Sequence, residues 1–137
     1  MDYTRRIFVF GSNLAGIHGR GSARHAVEHH GAEYGVGHGL TGNAYAIPTK
    51  KNPRVTLSIA EISEYVRLFK AFAHSHPLWQ FDVVKVGCGL AGYTESQIEP
   101  LFRGSPENVI LPEGWGSIAP REPGVGTTPH TYRNDTA

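Results

Sequence analysis

The sequence predicts a single α/β domain in which short buried strands alternate with helices. Apolar runs rich in β-branched and aromatic residues, each ending in glycine or proline, predict the strands. Segments with apolar residues at helical spacing lie between them. A length of 137 residues suits one core, and 39% hydrophobic residues are enough to build a modest one. The 17 glycines, about twice the average share, indicate tight turns or backbone that approaches a ligand.

The first half of the chain predicts two strands separated by a glycine-rich loop and a helix. The first strand is an aromatic and β-branched run that ends at Gly11, and Gly31 suits the C-terminal cap of the helix. We expect the second strand to stop at Pro48, because proline cannot donate to a strand ladder. In order, the predicted elements are a strand over 6–10, a loop over 11–21, a helix over 22–30, a loop over 31–42 and a strand over 43–49.

The second half begins with the clearest helix of the chain. Ser58 is its predicted N-cap, Glu61 completes a capping box, and apolar residues then recur at helical spacing. A later helix has to tolerate Pro100 or be bent by it. In order, the predicted elements are a helix from 59 that closes at 76–77, a strand over 80–86, a loop over 87–92, a helix from 94 and a strand over 108–111.

Two glycine-rich loops, 11–21 and 87–92, each follow a strand and lead into a helix. In open α/β sheets, ligands bind in the crevice at the carboxyl ends of the strands. Backbone N–H groups at helix N-termini point into that crevice and favour phosphate. The two loops therefore predict a nucleotide whose diphosphate lies between them, with plain tight turns as the alternative.

Three stretches of the sequence together resemble macrodomains. They resemble most the branch that contains terminal ADP-ribose glycohydrolases and the antitoxins that remove ADP-ribose from DNA. The resemblance covers about residues 7–102 and implies a macrodomain-like three-layer sandwich with a reduced mixed sheet and helices on both faces. The FGSNLAG start is also similar to that of small uncharacterised bacteriophage proteins. The stretches are FGSNLAGIHGRGSA at 10–23, IPTK at 47–50 and VGCGLAG at 86–92.

The resemblance implies a role for several residues of the two loops. Asn13 would contact the distal ribose, while Gly19 and Gly21 would line the ribose and diphosphate. Residues 89–93 would wrap the diphosphate from the other side, and Lys50 matches the catalytic lysine of the glycohydrolase branch. The predicted ligand-binding residues are Gly11, Ser12, Asn13, His18, Gly19, Arg20, Gly21, Lys50, Gly87, Cys88, Gly89, Leu90, Ala91, Gly92 and Tyr93.

Two departures from the family pattern bear on activity and on base recognition. Ala91 stands where one glycohydrolase type has a catalytic aspartate. We also expect the family's extra first strand, and the aspartate that reads adenine after it, to be missing. The sequence thus predicts binding of an ADP-ribose-containing molecule without efficient turnover. With the bacteriophage similarity, it suggests sequestration of an ADP-ribose-derived immune signal, such as a product of bacterial TIR-domain enzymes. A glycohydrolase that uses Lys50 is the enzymatic alternative.

Other patterns suggest different chemistry and have simpler interpretations. The segment 25–29 fits the H-x-x-E-H pattern of a zinc protease, but with eight histidines in the chain a solvated helix face explains it as well. Basic residues at 5–6, 50–51 and 54 would suit a nucleic-acid-binding or protein-binding module, or simply a solvated surface. Cys88, between two glycines, is expected to pack rather than react. Asn13 could instead stabilise its own turn.

Composition limits the partners and the location. Thirteen Lys and Arg against twelve Asp and Glu give a net charge of +1, which provides no broad attraction to nucleic acid or to anionic membranes. One cysteine excludes an internal disulfide framework, and no apolar stretch is long enough for a signal sequence or a membrane span. We expect a cytoplasmic protein, in the host-cell cytoplasm if phage-encoded, with no cofactor or metal; self-association is left open. The composition predicts a domain over 1–112 and a Gly/Pro/Thr-rich tail over 113–137, mobile from about 124.

Overall fold

The computed structural model describes residues 2–116, which form one mixed α/β unit. The predicted mobile end beyond 124 lies outside the described residues. The strands are β1 (Arg5–Asn13), β2 (Gly39–Thr41), β3 (Ala44–Asn52), β4 (Val55–Thr56), β5 (Trp79–Val83) and β6 (Val109–Ile110). The helices are α1 (Gly21–His29), α2 (Ile59–His74) and α3 (Glu95–Ile98), and a 3₁₀ turn over Glu99–Phe102 continues α3.

The strands form one mixed sheet in the order β2-β3-β1-β5-β6, with β4 paired to the far end of β3. The four strands β3, β1, β5 and β6 run parallel, and the short strands β2 and β4 lie antiparallel to β3. The connection that follows β1 leads to β3, on one side of β1 in the sheet, and the connection that follows β5 leads to β6, on the opposite side. The two connections therefore run in opposite directions from the β1–β5 pair, and open α/β sheets bind ligands near such a point, at the carboxyl ends of the strands.

Helices cover both faces of the sheet, as the aromatic contacts show. The ring of Phe8 stacks on His30 beside α1, with centroids 4.2 Å apart. Tyr45 and Phe81 instead pack on Phe69 of α2, at 5.2 and 5.7 Å. Successive residues of a strand point to opposite faces, so alternate residues of β1 supply each layer. The buried core lies on both sides of β1, whose residues 7–10 are almost fully enclosed.

The helix with the strongest local signal forms as predicted. Ser58 caps α2: its hydroxyl accepts from the Glu61 N–H at 3.1 Å, and the Glu61 carboxylate accepts from the Ser58 N–H at 3.0 Å. The apolar residues at helical spacing, Ile62, Val66, Phe69 and Ala73, are all buried. Helix α3, after the second glycine-rich loop, also agrees with its sequence. Its single α-helical turn is followed by a 3₁₀ turn that contains Pro100.

The prediction that β3 stops at Pro48 is wrong, since the strand continues to Asn52. Pro48 pairs with Ser12 of β1. On its other edge, β3 pairs with β2 before Pro48 and with β4 after it, so the proline falls between two ladders. A residue without an N–H is tolerated at such a place. The two short strands β2 and β4 were not predicted, because two or three residues carry no periodic signal.

Candidate functional site

An open pocket lies at the carboxyl ends of β1 and β3, between the first glycine-rich loop and the tip of the second. Water-sized molecules can occupy about 170 Å³ of it, and the space grows to about 710 Å³ when the open mouth is included. Its lining residues are Gly11, Ser12, Asn13, Ile17, Gly19, Arg20, Ser22, Ala23, Thr49, Lys50, Pro53, Leu90 and Ala91.

The N-terminus of α1 opens into this pocket without a cap. Arg20 holds the N-cap position in extended conformation, its side chain accepts no capping hydrogen bond, and the first turn contains no acidic residue. The first N–H groups of a helix have no partner within the helix. Among residues 2–116, no acceptor is found for the N–H groups of Ser22 and Ala23, both of which line the pocket. These groups present a partial positive charge to whatever the pocket holds.

Two cationic residues, Arg20 and Lys50, line the pocket, and none of the lining residues carries a carboxylate. The Lys50 ammonium donates to the Pro53 carbonyl oxygen at 2.6 Å, which fixes it over the turn between β3 and β4. The sheet and the turn therefore hold a positive charge beside the end of α1. This arrangement favours an anionic ligand.

The side chain of Asn13 is largely engaged in shaping its own loop. Its amide nitrogen donates to the Ile17 carbonyl at 2.8 Å, and its amide oxygen accepts from the Ile17 N–H at 3.0 Å. Asn13 therefore stabilises its own turn, as the alternative interpretation of the sequence predicted. One N–H of the amide remains for a ligand, because an NH₂ group has two donors. Ser12 is similarly anchored, since its hydroxyl donates to the Gly37 carbonyl at 2.5 Å.

His18 is almost completely buried and does not line the pocket. Its Nε2–H donates to the Val36 carbonyl at 2.8 Å, while Nδ1 finds no partner among the described residues. The ring also packs edge-on against Phe10, with centroids 5.5 Å apart. His18 therefore joins the first loop to the 33–37 loop beneath it.

Glycines of the first loop serve different purposes. Gly16 has a φ of 72°, and a Cβ there would lie 2.3 Å from the backbone of Gly35, so this position is required by close packing of two loops. Gly21 has a φ of 62° and is absent from the pocket lining, so its role is to turn the chain into α1. Gly19 is different. A Cβ there would meet nothing within 4 Å, and the residue lines the pocket.

The second glycine-rich loop reaches the pocket only through Leu90 and Ala91. Tyr93 is turned to the fold, where its hydroxyl donates to the Leu57 carbonyl at 2.5 Å. The predicted residues Gly87, Cys88, Gly89, Gly92 and Tyr93 do not line the pocket.

Cys88, in the same loop, is not prepared for nucleophilic chemistry. Burial, assisted by the Glu95 carboxylate, raises the pKa of its thiol to about 11, against the smaller opposite effect of Lys85. The reactive thiolate is therefore disfavoured near neutral pH.

Sequence reasoning about the site left out five lining residues: Ile17, Ser22, Ala23, Thr49 and Pro53. Ile17, Ser22, Ala23 and Thr49 stand within or next to the stretches that carry the macrodomain resemblance, so they could have been included with their neighbours. Pro53 lies outside those stretches and had no chemical signal of its own. Ile17 is 41% exposed and Leu90 is 46% exposed, which gives the pocket an apolar rim on two sides.

The alternative chemistries find little support in the structure. No group of three or more His, Cys, Asp or Glu side chains within residues 2–116 could hold a metal ion. Glu28 of the H-x-x-E-H segment is paired with Arg24 at 3.3 Å.

The basic pairs, likewise, do not form one surface. Arg6 pairs with Asp82 at 2.8 Å, and Arg5 lies over the Trp79 ring at 4.4 Å, both near the start of β1. Lys50 lies near the end of β3, which runs parallel to β1. The two basic clusters are therefore at opposite ends of the sheet.

Two aromatic side chains that could stack on a nucleotide base, Tyr45 and Trp115, pack within the fold instead. Tyr45 is buried against α2, which raises its pKa to about 12. Trp115, beyond the expected domain boundary at 112, is buried on Phe102 and donates to Glu95 at 2.9 Å.

In comparisons with known proteins, no family model, curated protein or solved structure matches this chain. Within residues 2–116, none of the helices has the length and apolar character needed to cross a membrane.

Proposed function

We propose that this protein binds an ADP-ribose-type nucleotide in the pocket at the end of β1 and holds it without cleaving it. One observation carries the proposal: the uncapped end of α1, Arg20 and Lys50 border the same open pocket, and none of its lining residues within 2–116 carries a carboxylate. Helix N-termini and cationic side chains together are typical of sites for phosphate groups. A macrodomain-like sandwich, implied by the resemblance of the loops, is part of the same proposal.

The apolar rim supports a nucleotide over a simple inorganic anion. Ile17 and Leu90 leave large apolar side chains exposed on two loops that line the pocket. Exposed apolar surface that is continuous with a polar pocket favours a ligand with an aromatic or aliphatic part. A nucleotide supplies both parts, because its phosphates suit the helix end and its base and ribose suit the rim.

The composition of the pocket favours binding over hydrolysis. Cleavage of a glycosidic bond by general acid–base catalysis requires a group near the bond that takes up or supplies a proton. The pocket has Ala91 where the resemblance would place an aspartate, and Lys50 is held by the Pro53 carbonyl. We therefore infer sequestration, with an ADP-ribose-derived immune signal of a host defence as the proposed ligand.

The first test is calorimetry with ADP-ribose, NAD, cyclic ADP-ribose and conjugated ADP-ribose. Lys50→Ala is expected to weaken binding about tenfold to a hundredfold, because it removes a charged hydrogen-bond donor worth about 1.5–3 kcal/mol. Lys51→Ala is the matched control, since Lys51 is exposed and does not line the pocket. Absence of heat with all four compounds would contradict the proposal.

The second test separates a binder from a glycohydrolase. The protein is incubated at length with an ADP-ribose conjugate and then denatured, and the released compound is chromatographed. Intact conjugate supports sequestration. Free ADP-ribose that no longer forms with Lys50→Ala would replace the proposal with hydrolysis that depends on Lys50, because a catalytic group contributes more in the transition state than in the ground state.

A further inference from the structure

Ser22, in the first turn of α1, carries a hydroxyl that the folded chain leaves without a partner. The residue is 1% exposed, and its Oγ makes no hydrogen bond to any described group. Buried hydroxyls nearly always have a partner, and an exception calls for a structural or functional explanation. Within residues 2–116, the only other such atom is Nδ1 of His18, in the segment that leads into the same helix.

The position of Ser22 suggests what its partner is. The residue lines the pocket, next to the free N–H groups at the start of α1. A serine hydroxyl moves between staggered positions by rotation about one bond, so an oxygen atom held at this helix end can draw it towards the pocket. Negatively charged oxygen is the acceptor that this end of the helix favours.

We propose that Ser22 is a ligand-binding residue, whose hydroxyl turns to a phosphate oxygen of the bound ligand and donates to it. The subsite consists of the Ser22 hydroxyl and the N–H groups of Ser22 and Ala23, with Arg20 at its edge. It rests on the proposed function, because it is the phosphate end of the same pocket. It accepts the phosphate group itself, so inorganic pyrophosphate binds there without the nucleoside.

A merely structural serine behaves differently from a ligand donor when it is replaced. Loss of a structural hydrogen bond lowers stability, whereas Ser22→Ala removes an unsatisfied buried hydroxyl and introduces the better helix former. Ser22→Ala is therefore expected to raise the Tm of the free protein and to weaken pyrophosphate and ADP-ribose binding about tenfold or more. A rise in Tm with a fall in affinity is a combination that a structural role does not produce.

The experiment measures Tm by calorimetric unfolding and affinity by titration, on wild type, Ser22→Ala and Ser58→Ala. Ser58 caps α2 away from the pocket, so its variant should lose stability and keep its affinities. Unchanged pyrophosphate affinity in Ser22→Ala, or a Tm that falls together with affinity, overturns the assignment of Ser22. If wild type binds ADP-ribose but not pyrophosphate, the subsite is wrong and the proposed function stands. If wild type binds neither, both are wrong.

Discussion

Helices α1 and α2 begin in opposite ways, although both follow a strand of the same sheet. The first turn of α2 is closed by a reciprocal pair of hydrogen bonds between Ser58 and Glu61. The first turn of α1 has Arg20 at the N-cap, no capping side chain and no acidic residue. Any helix begins with N–H groups that have no partner within the helix and with a partial positive charge, so both ends start from the same need. The difference indicates that the end of α2 is satisfied by the fold, while the end of α1 is available to a ligand.

The two helices also differ in how much apolar surface they bury, and α1 buries less. The buried residues of α2 include Ile62, Val66 and Phe69, which fill the core between helix and sheet. Those of α1 are Ser22, Ala23 and Ala26, which bury little area. Since apolar burial is the main source of helix stability in a domain, α2 anchors the fold and α1 is held more lightly. The lightly held helix is the one that borders the pocket.

The strongest test of this difference between α1 and α2 is a substitution that gives α1 an N-cap. Arg20→Asp places a preferred N-cap residue in an extended backbone conformation that suits it. We expect the free energy of unfolding to rise by about 1 kcal/mol, and nucleotide affinity to fall about a hundredfold or more, because the carboxylate competes with the ligand and repels it. Urea unfolding and titration calorimetry measure the two effects.

Arg54→Asp is the matched control, because it makes the same change of charge at an exposed residue outside the pocket lining. It should leave stability nearly unchanged and reduce affinity much less than Arg20→Asp does. Equal loss of affinity in the two variants would mean that general charge, and not the end of α1, attracts the ligand.

Two glycines of the first loop separate ligand contact from loop packing. Gly19→Ala is expected to keep the stability of wild type and to weaken binding about tenfold, because the residue lines the pocket and its added methyl group would meet no protein atom. Gly16→Ala is expected to lower the free energy of unfolding by more than about 1 kcal/mol, since its Cβ would meet the backbone of Gly35. Full affinity in a folded Gly19→Ala protein would show that the ligand stays away from this part of the loop.

The smallest effect expected is a loss of stability in mild acid, to which the histidines at α1 contribute. The pKa of His25 and of His30 is lowered, first because partial burial disfavours the charged ring and then by neighbouring histidines. The unfolded chain therefore takes up protons on these rings at a higher pH than the folded chain does. Stability should fall as the pH drops below about 6.5, the ordinary histidine pKa.

Urea unfolding midpoints at pH 7.5 and 5.5 measure this loss of stability. His30→Phe keeps a ring stacked on Phe8 and removes the titrating group, so its pH dependence should be smaller. A pH dependence in His30→Phe equal to that of wild type would place the effect outside α1.

The sequence by itself determined the elements whose signals are local. The apolar run of β1, the capping box and apolar spacing of α2, and the effect of Pro100 on the last helix all depend on neighbours within a few residues. The sequence also predicted that the first glycine-rich loop takes part in ligand binding, and eight of the predicted residues line the candidate pocket: Gly11, Ser12, Asn13, Gly19, Arg20, Lys50, Leu90 and Ala91.

Only the tertiary structure decided which atoms of those loops are available. Four findings depend on the order of strands or on how segments pack together. Pro48 continues β3, and the Asn13 amide is hydrogen-bonded within its loop. Tyr93 turns away from the pocket, and the Ser22 hydroxyl lacks a partner. Residue type gives the hydrogen-bonding capacity of a side chain. Whether that capacity is already satisfied depends on which other segments the sheet brings beside it.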